Sequence, residues 1–230
     1  MLPGSQSVGA QLCGSEKSPN DNRKSRFRIV VMGAAGVGKS AIISQFLYDH
    51  FQIEYNETIE ELHQGEYDFD GTRLTLDILD TAGAYSFPAM RELAIATSDA
   101  FVLVYSVDDE SSFEAVTKLR EQILTEKNSN DVPMVIVANK TDVGDDKRSL
   151  GRETAESIVC VDWGNGYVEA SAKNNVNIVG IFKEILRQSK IPYALSPAVR
   201  RRRQSTPAAF TQMKKKIQVK QTRSQRQSCS

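Results

Sequence analysis

The octapeptide GAAGVGKS, residues 33–40, restricts the fold of this chain more than any other stretch of the sequence. It follows a short apolar run, FRIVVM at 27–32, and precedes a predicted helix. Glycines let backbone N–H groups curl around an anion without a steric clash, and a helix presents its positive N-terminal end to that anion. The pattern Gly-x-x-x-x-Gly-Lys-Ser in this setting therefore predicts a phosphate-binding loop.

The residue types in this loop indicate which groups would contact the phosphates and Mg²⁺. Lys39 would supply a positive charge to the outer phosphates, and Ser40 would offer its hydroxyl to Mg²⁺. The rest of the loop is expected to line the phosphates, mainly through its backbone: Gly33, Ala34, Ala35, Gly36, Val37 and Gly38.

Apolar runs recur along the chain and predict an α/β fold. FVLVYSV (101–107) and PMVIVAN (133–139) are continuous rather than alternating, which favours parallel strands buried on both faces. Helical periodicity lies between and after them, in SFEAVTKLREQIL (112–124) and VGIFKEILRQ (179–188).

One segment departs from this alternation. LHQGEYDFDGTRLTLDILD (62–80) contains two extended halves around Asp70-Gly71, a strong hairpin signal. The sequence therefore predicts a mostly parallel sheet of about six strands, with one antiparallel edge strand and helices on both faces, in the class of P-loop NTPases.

Composition divides the chain into three parts. Residues 1–26 are polar and are expected to be disordered, 27–190 form the folded domain, and 191–230 are expected to be a flexible tail. The middle part carries 15 basic and 27 acidic residues, whereas the tail carries ten Lys and Arg and no Asp or Glu. An acidic body with a basic tail indicates that the tail has a charged partner.

Several classes of protein are disfavoured. No apolar run approaches the ~18 residues of a membrane-spanning helix, and the N-terminus lacks the features of a secretory signal. Cys13, Cys160 and Cys229 are too few and too scattered for a disulfide framework or a zinc site, which favours a reducing cytosolic environment.

The stretch Asn139-Lys140-Thr141-Asp142 follows a predicted strand and is interpreted as a base-reading element. Strand C-terminal ends line the ligand crevice in this type of fold. A carboxylate there can accept hydrogen bonds from the N1–H and the exocyclic amine of guanine, so Asp142 is the proposed guanine selector. Asn139 would lie on the base edge and Lys140 beside the ring, with Ser171, Ala172 and Lys173 behind the pocket.

Three further residues are placed at the phosphates. Asp80 ends the predicted strand LTLDILD and would hold Mg²⁺ through water. Gly83 would give its backbone N–H to the terminal phosphate. Thr58, in the polar stretch YNETIEE, is a candidate second hydroxyl for Mg²⁺.

Together, GAAGVGKS, the threonine in YNETIEE, DTAG, NKTD and ASAK resemble the small GTPases of the Ras family over about residues 27–190. YNETIEELH and FPAMRELAI are more similar to the Ras branch than to the Rab, Rho or Arf branches. The resemblance implies a G domain that binds GTP or GDP with Mg²⁺, with Phe51 packed on the base or ribose.

The same resemblance implies two switch regions, 55–63 and 84–97, which become ordered when the third phosphate is bound and are released after its loss. Effectors, exchange factors and activators would bind there. The protein is expected to be a monomer, and the sequence disfavours a nucleic-acid partner. Tyr55 and Phe87 would belong to these surfaces. The implied effector region is Tyr55, Asn56, Glu57, Thr58, Ile59, Glu60, Glu61, Leu62 and His63.

Two residues depart from the family pattern near the third phosphate. Ala84 stands where active members usually have a glutamine that orients the attacking water, and Ala35 stands where many Ras-branch proteins have glycine. We therefore expect intact binding, slow hydrolysis and no firm catalytic residue, although the Tyr85 hydroxyl is a candidate substitute. The alternative is a non-catalytic scaffold that stays loaded with GTP.

The C-terminus, Gln-Ser-Cys-Ser, is not a prenylation box, and lipidation of Cys229 or Cys13 is left open. Three interpretations of the basic tail compete. It would hold an anionic membrane surface, act as a nuclear-localisation or nucleic-acid patch through residues 200–203, or simply be soluble. The expected location is the cytoplasm, with the periphery of the plasma membrane as its membrane site and the nucleus as the alternative.

Overall fold

The computed structural model describes residues 26–53, 58, 60–69, 72–83 and 88–191, whose strands form one six-stranded sheet. The strands are β1 (Arg26–Met32), β2 (Glu61–Phe69), β3 (Thr72–Asp80), β4 (Ala100–Ser106), β5 (Met134–Asn139) and β6 (Gly166–Glu169). Their order is β2-β3-β1-β4-β5-β6. All neighbours are parallel except β2 and β3, so the predicted sheet is confirmed. The Asp70-Gly71 turn lies outside the described residues.

Helices α1 (Lys39–Tyr48), α2 (Pro88–Thr97), α3 (Glu110–Lys127), α4 (Arg152–Ser157) and α5 (Ile178–Gln188) connect or follow the strands. Short 3₁₀ turns occur at Thr141–Val143 and Asp145–Lys147, and a π-helical turn at Ile158–Asp162. At the start of α3, the Asp109 side chain accepts from the Ser112 N–H, an N-cap. No helix in the described part of the chain is both long and apolar enough to cross a membrane.

The two faces of the sheet carry separate hydrophobic cores, which is why the strands are continuously apolar. In β1, Ile29 faces one core and Val30 the other, because successive side chains point to opposite faces of a strand. Helices α1 and α5 cover the first core, where Phe46 and Phe182 stack with ring centroids 3.8 Å apart. Helices α2, α3 and α4 cover the second core.

A brace of aromatic and charged groups ties α3 to the chain just before β6. Trp163 stacks on Phe113 with ring centroids 5.6 Å apart. The Arg120 guanidinium lies 5.0 Å from the indole ring and donates hydrogen bonds to the Trp163 carbonyl and to Asn165. Trp163 therefore anchors the loop that precedes β6, as its position in VDWGNGYV predicts.

The order of the strands also brings the predicted nucleotide-binding motifs close together. Residues 33–40 follow β1, 81–83 follow β3, 140–142 follow β5, and 170–173 follow β6. These four strands are parallel to one another, so their C-terminal ends meet at one edge of the sheet.

Candidate nucleotide-binding site

A cleft of about 320 Å³ opens at this edge of the sheet. It is lined by residues from every described segment that the sequence predicts to bind phosphate, Mg²⁺ or base, including Lys39, Ser40, Thr58, Gly83, Asn139, Lys140, Asp142, Ala172 and Lys173. Phe51 also lines the cleft and packs against the first hydrophobic core, which suits a side chain that supports a planar base.

The phosphate loop is shaped by glycine at its tightest point. Gly38 has φ +98°, and a Cβ atom there would lie 2.3 Å from Asn139 Nδ2. Any other residue would therefore separate the phosphate loop from the base-reading loop. Helix α1 begins at the next residue, Lys39, so its first N–H groups face the phosphate end of the cleft.

Lys39 lies along the loop that it is predicted to complete. Its Nζ donates to the carbonyl oxygens of Gly33, at 3.1 Å, and Ala34, at 2.8 Å. Burial lowers the pKa of Lys39 to about 8, and the charge of Asp80 opposes this shift. A phosphate would favour the protonated ammonium further, as any nearby anion does.

Three oxygen-bearing side chains converge where Mg²⁺ is predicted. The hydroxyls of Ser40 and Thr58 are 2.7 Å apart. Asp80 is buried, and its Oδ1 atom has no hydrogen-bond partner among the described residues. Burial raises the pKa of Asp80, while the Ser40 hydroxyl and the Lys39 charge oppose the rise. Hydroxyl and carboxylate oxygens are the ligands that Mg²⁺ takes, so these residues fit the ion.

Asp142 is held in place by its neighbours. Ser171 Oγ donates to Asp142 Oδ1 at 2.6 Å, and Lys173 Nζ lies 3.8 Å from Oδ2. The Asp142 side chain is 13% exposed and lines the cleft. The carboxylate that is predicted to read guanine is therefore oriented by Ser171, a residue that the sequence places only at the back of the pocket.

The side-chain amide of Asn139 links two backbone segments. Its Nδ2 donates to the Val37 carbonyl at 2.8 Å, and its Oδ1 accepts from the Ala172 N–H at 3.1 Å. Both ends of the amide thus bind backbone, and the Ala172 N–H serves the pocket wall here. Asn139 lines the cleft as predicted, but these contacts assign it the role of joining the phosphate loop to residues 171–173.

Two supporting residues were missed from the sequence. Gln45, buried in α1, donates to the Ala172 carbonyl at 2.7 Å. Thr81, buried just after β3, donates from its hydroxyl to the Val31 carbonyl at 2.7 Å. A polar residue within a mostly apolar stretch, IISQFL, was the available signal for Gln45.

The predicted switch regions are described only in part. Tyr55, Asn56, Glu57 and Ile59, and also Ala84, Tyr85 and Phe87, lie outside the described residues. In the first region, Glu60 precedes edge strand β2, which begins at Glu61. Within that strand His63 Nε2 lies 3.9 Å from Glu61 Oε2, and Leu62 is exposed.

The second switch region contains a helix that the sequence did not predict. Helix α2 buries Ala94 and Ile95 but leaves Met90 and Leu93 exposed. Just before the undescribed stretch, Gly83 approaches the phosphate loop closely. A Cβ atom on Gly83 would lie 2.2 Å from Ala35 Cα and 2.4 Å from Ala35 N.

Comparison with known proteins agrees with this geometry. The model of the Ras family matches residues 28–191. The human GTP-binding protein Rhes is 42% identical over 187 residues, covering 78% of this chain and 70% of Rhes. The mouse and rat Rhes proteins are 41% identical over 184 residues, covering 76% of this chain and 69% of theirs. The chain is therefore a member of the Ras family of small GTPases.

Proposed function

We propose that this small GTPase is a slow molecular switch, which binds Mg²⁺-GTP and Mg²⁺-GDP and signals to effectors while GTP is bound. The observation that carries the proposal is the single cleft that joins Lys39 to Asp142. It provides a cation for the phosphates at one end and an oriented carboxylate for the base at the other. A guanine nucleotide carries phosphate anions at one end and hydrogen-bond donors on the edge of its base at the other, so it matches these two groups.

Mg²⁺, when bound, would neutralise phosphate charge during transfer of the terminal phosphoryl group. Ser40 and Thr58 would hold it directly, and Asp80 through water. Lys39 would hold the outer phosphates, and the Gly83 N–H would mark the presence of the third phosphate.

Hydrolysis is proposed to be slow because the residue after DTAG, Ala84, carries no group that can orient water. The test is a single-turnover assay with purified protein loaded with GTP, run beside an ordinary Ras-branch GTPase. We expect a lower rate for this chain and a purified protein that contains both GTP and GDP. A rate equal to that of the ordinary enzyme would overturn the proposal of slow turnover.

The same alanine supports a second candidate function. A chain that binds GTP but never hydrolyses it would act as a permanently loaded scaffold. Analysis of the nucleotide bound to purified protein separates the two functions, since the scaffold would contain GTP alone and the switch a mixture with GDP.

Effector and regulator binding is proposed at residues 55–63 and 84–97. Within the described parts of these regions, three large apolar side chains are exposed: Leu62, Met90 and Leu93. Exposed apolar side chains in segments that are expected to change with the nucleotide suit partners that must sense the nucleotide state.

The basic tail is proposed to attract the chain to anionic membrane surfaces. Ten Lys and Arg without acidic neighbours can each contribute up to about 1 kcal/mol near such a surface. Imaging of a variant that lacks 191–230 beside the full chain tests the proposal. Loss of a peripheral signal supports membrane attraction, loss of a nuclear signal supports the nuclear alternative, and an unchanged distribution opposes both.

Replacing Gly83 by alanine is expected to lower affinity for GTP relative to GDP. The added Cβ would push residue 83 away from Ala35, which removes the N–H predicted to bind the third phosphate. Losing one charge-assisted hydrogen bond corresponds to about 10- to 100-fold in the GTP-to-GDP affinity ratio. Competition of each nucleotide against a fluorescent analogue measures this ratio.

The matched control adds Ala35→Gly to Gly83→Ala. Because the closest atoms are the Cα and N of residue 35, removing the alanine methyl should not relieve the clash. An unchanged affinity ratio in Gly83→Ala, or full rescue by Ala35→Gly, would contradict this account.

A further inference from the structure

A cluster of charged and phenolic groups lies around Glu169, the last residue of β6. Arg148 Nη1 is 2.8 Å from Glu169 Oε1, and Arg152 Nη1 is 3.5 Å from Oε2. The Tyr167 hydroxyl is 3.5 Å from Oε1 and 3.2 Å from the Tyr105 hydroxyl. None of these groups lines the nucleotide cleft.

Arg148 and Glu169 form the most enclosed ion pair in this cluster. Their side chains are 10% and 16% exposed, whereas the Arg152 side chain is 61% exposed. Arg148 and Glu169 are therefore an ion pair that is largely shielded from solvent. An enclosed charge that loses its partner is costly, whereas a solvated one is not.

The pair joins the two segments that contain the base-reading groups. Arg148 ends an exposed turn, 144–147, that follows Asp142, and its Nε atom donates to Asp145 at 2.9 Å. The next residue, Ser149, is fixed to the residue that follows β4, because its N–H donates to the Val107 carbonyl at 2.9 Å. Through Arg148, the far end of the base-reading loop is thereby attached to the end of β6.

From Glu169 the connection continues to Asp142. The Ala170 carbonyl accepts from both the backbone N–H and the hydroxyl of Thr141, at 3.2 and 3.1 Å. One residue later, Ser171 Oγ donates to Asp142 Oδ1 at 2.6 Å. Asp142 therefore lies between a loop attached at Arg148 and a segment attached at Glu169.

We propose that Arg148 and Glu169 are a positioning pair, which holds Asp142 in register with the edge of the base and thereby sets how well the chain distinguishes guanine from hypoxanthine. Hypoxanthine lacks the exocyclic amine, so it can use only one of the two hydrogen bonds that an aligned carboxylate accepts. The inference rests on the proposed function, because it takes Asp142 as the residue that reads the base. Misplacement of such a group by about 1 Å is enough to weaken its effect substantially.

The test compares dissociation of GDP and IDP from the full chain and from the Arg148→Met variant, which keeps the length of the side chain but removes its charge. We expect GDP release to accelerate about tenfold, as follows from disrupting an enclosed ion pair next to the site. IDP release should change less, so the ratio of the two rates should move towards one.

Three variants separate positioning from general destabilisation. Arg152→Met removes the exposed partner of the same carboxylate and should leave both rates as in the wild type. Arg148→Lys keeps the charge and should restore much of the discrimination. Glu169→Gln keeps the side-chain shape and should behave like Arg148→Met, so it carries the test if Arg148→Met does not fold.

The outcomes are distinct. An Arg148→Met protein that melts at a lower temperature but keeps the wild-type ratio of GDP to IDP release would overturn the positioning role. An Arg152→Met protein that loses discrimination equally would also overturn it. A wild-type chain that releases GDP and IDP at the same rate would overturn the proposed reading of guanine by Asp142, and the pair with it.

Discussion

Replacing Asp142 by asparagine should weaken binding of GDP and GTP by about 10²- to 10⁴-fold, because two charge-assisted hydrogen bonds of about 1.5–3 kcal/mol each are lost. The structure supports a large effect, since Ser171 and Lys173 hold this carboxylate at the cleft. An asparagine would also turn an N–H donor towards the amine of guanine, where two donors oppose each other.

The same change should create affinity for xanthine nucleotides. Xanthine carries a carbonyl at C2 in place of the amine, so the asparagine N–H can donate to it. Competition of GTP, XTP and ATP against a fluorescent nucleotide measures the change in preference. A gain for XTP cannot come from misfolding, which would weaken binding of all three nucleotides.

Asp146→Asn is the matched control for this prediction. It makes the same chemical change four residues later, at an exposed position in the short turn Asp145–Lys147 that does not line the cleft. It should leave all three affinities as in the wild type. If Asp142→Asn kept the wild-type preference for guanine, Asp142 would not be the residue that reads the base.

Combining Ala35→Gly with Ala84→Gln should accelerate hydrolysis more than any other change proposed for this chain. Glutamine at 84 would orient the attacking water, and glycine at 35 would remove the methyl that crowds an incoming arginine. The two positions act at the same place, because Gly83, directly before residue 84, lies against the backbone of Ala35. Each single variant should gain much less, since one obstacle remains.

Single-turnover hydrolysis with an activating protein that inserts an arginine provides the measurement. The double variant should exceed the wild type by about 10³- to 10⁵-fold, the range reported for arginine fingers in Ras and related GTPases. Ala34→Gly with Ala84→Gln is the control, because it removes a methyl group one residue earlier, where the Ala34 side chain packs against the first hydrophobic core. Equal gains in the two double variants would contradict the role given to Ala35.

The sequence predicted those parts of the site that depend on local pattern. A strand followed by GAAGVGKS and a helix defines the backbone path by itself, and β1 and α1 lie as expected. Asp80 ends β3 and Asp142 lies three residues after the end of β5, so the parallel sheet brings them to one edge. Local pattern and topology together were sufficient to place these ligand-binding groups.

Supporting contacts could not be predicted in the same way, because they join residues far apart in the chain. Gln45 meets the Ala172 carbonyl across 127 residues, and only the packing of α1 against residues 170–173 brings them together. The Arg148–Glu169 pair depends on how the turn after Asp142 folds back, which no periodicity specifies. Helix α2 was missed for a different reason: it buries only Ala94 and Ile95 and leaves Met90 and Leu93 exposed, so its apolar residues do not mark one buried face.

The brace around Trp163 gives the protein an intrinsic optical reporter. The sequence contains one tryptophan, so all of its indole emission comes from a ring stacked on Phe113 and covered by Arg120. That ring lies three residues before β6, the strand that leads to Ser171, whose hydroxyl donates to Asp142. A spectral change on nucleotide loading would therefore report movement of α3 or of the wall behind the base, and would separate it from rearrangement of the switch segments.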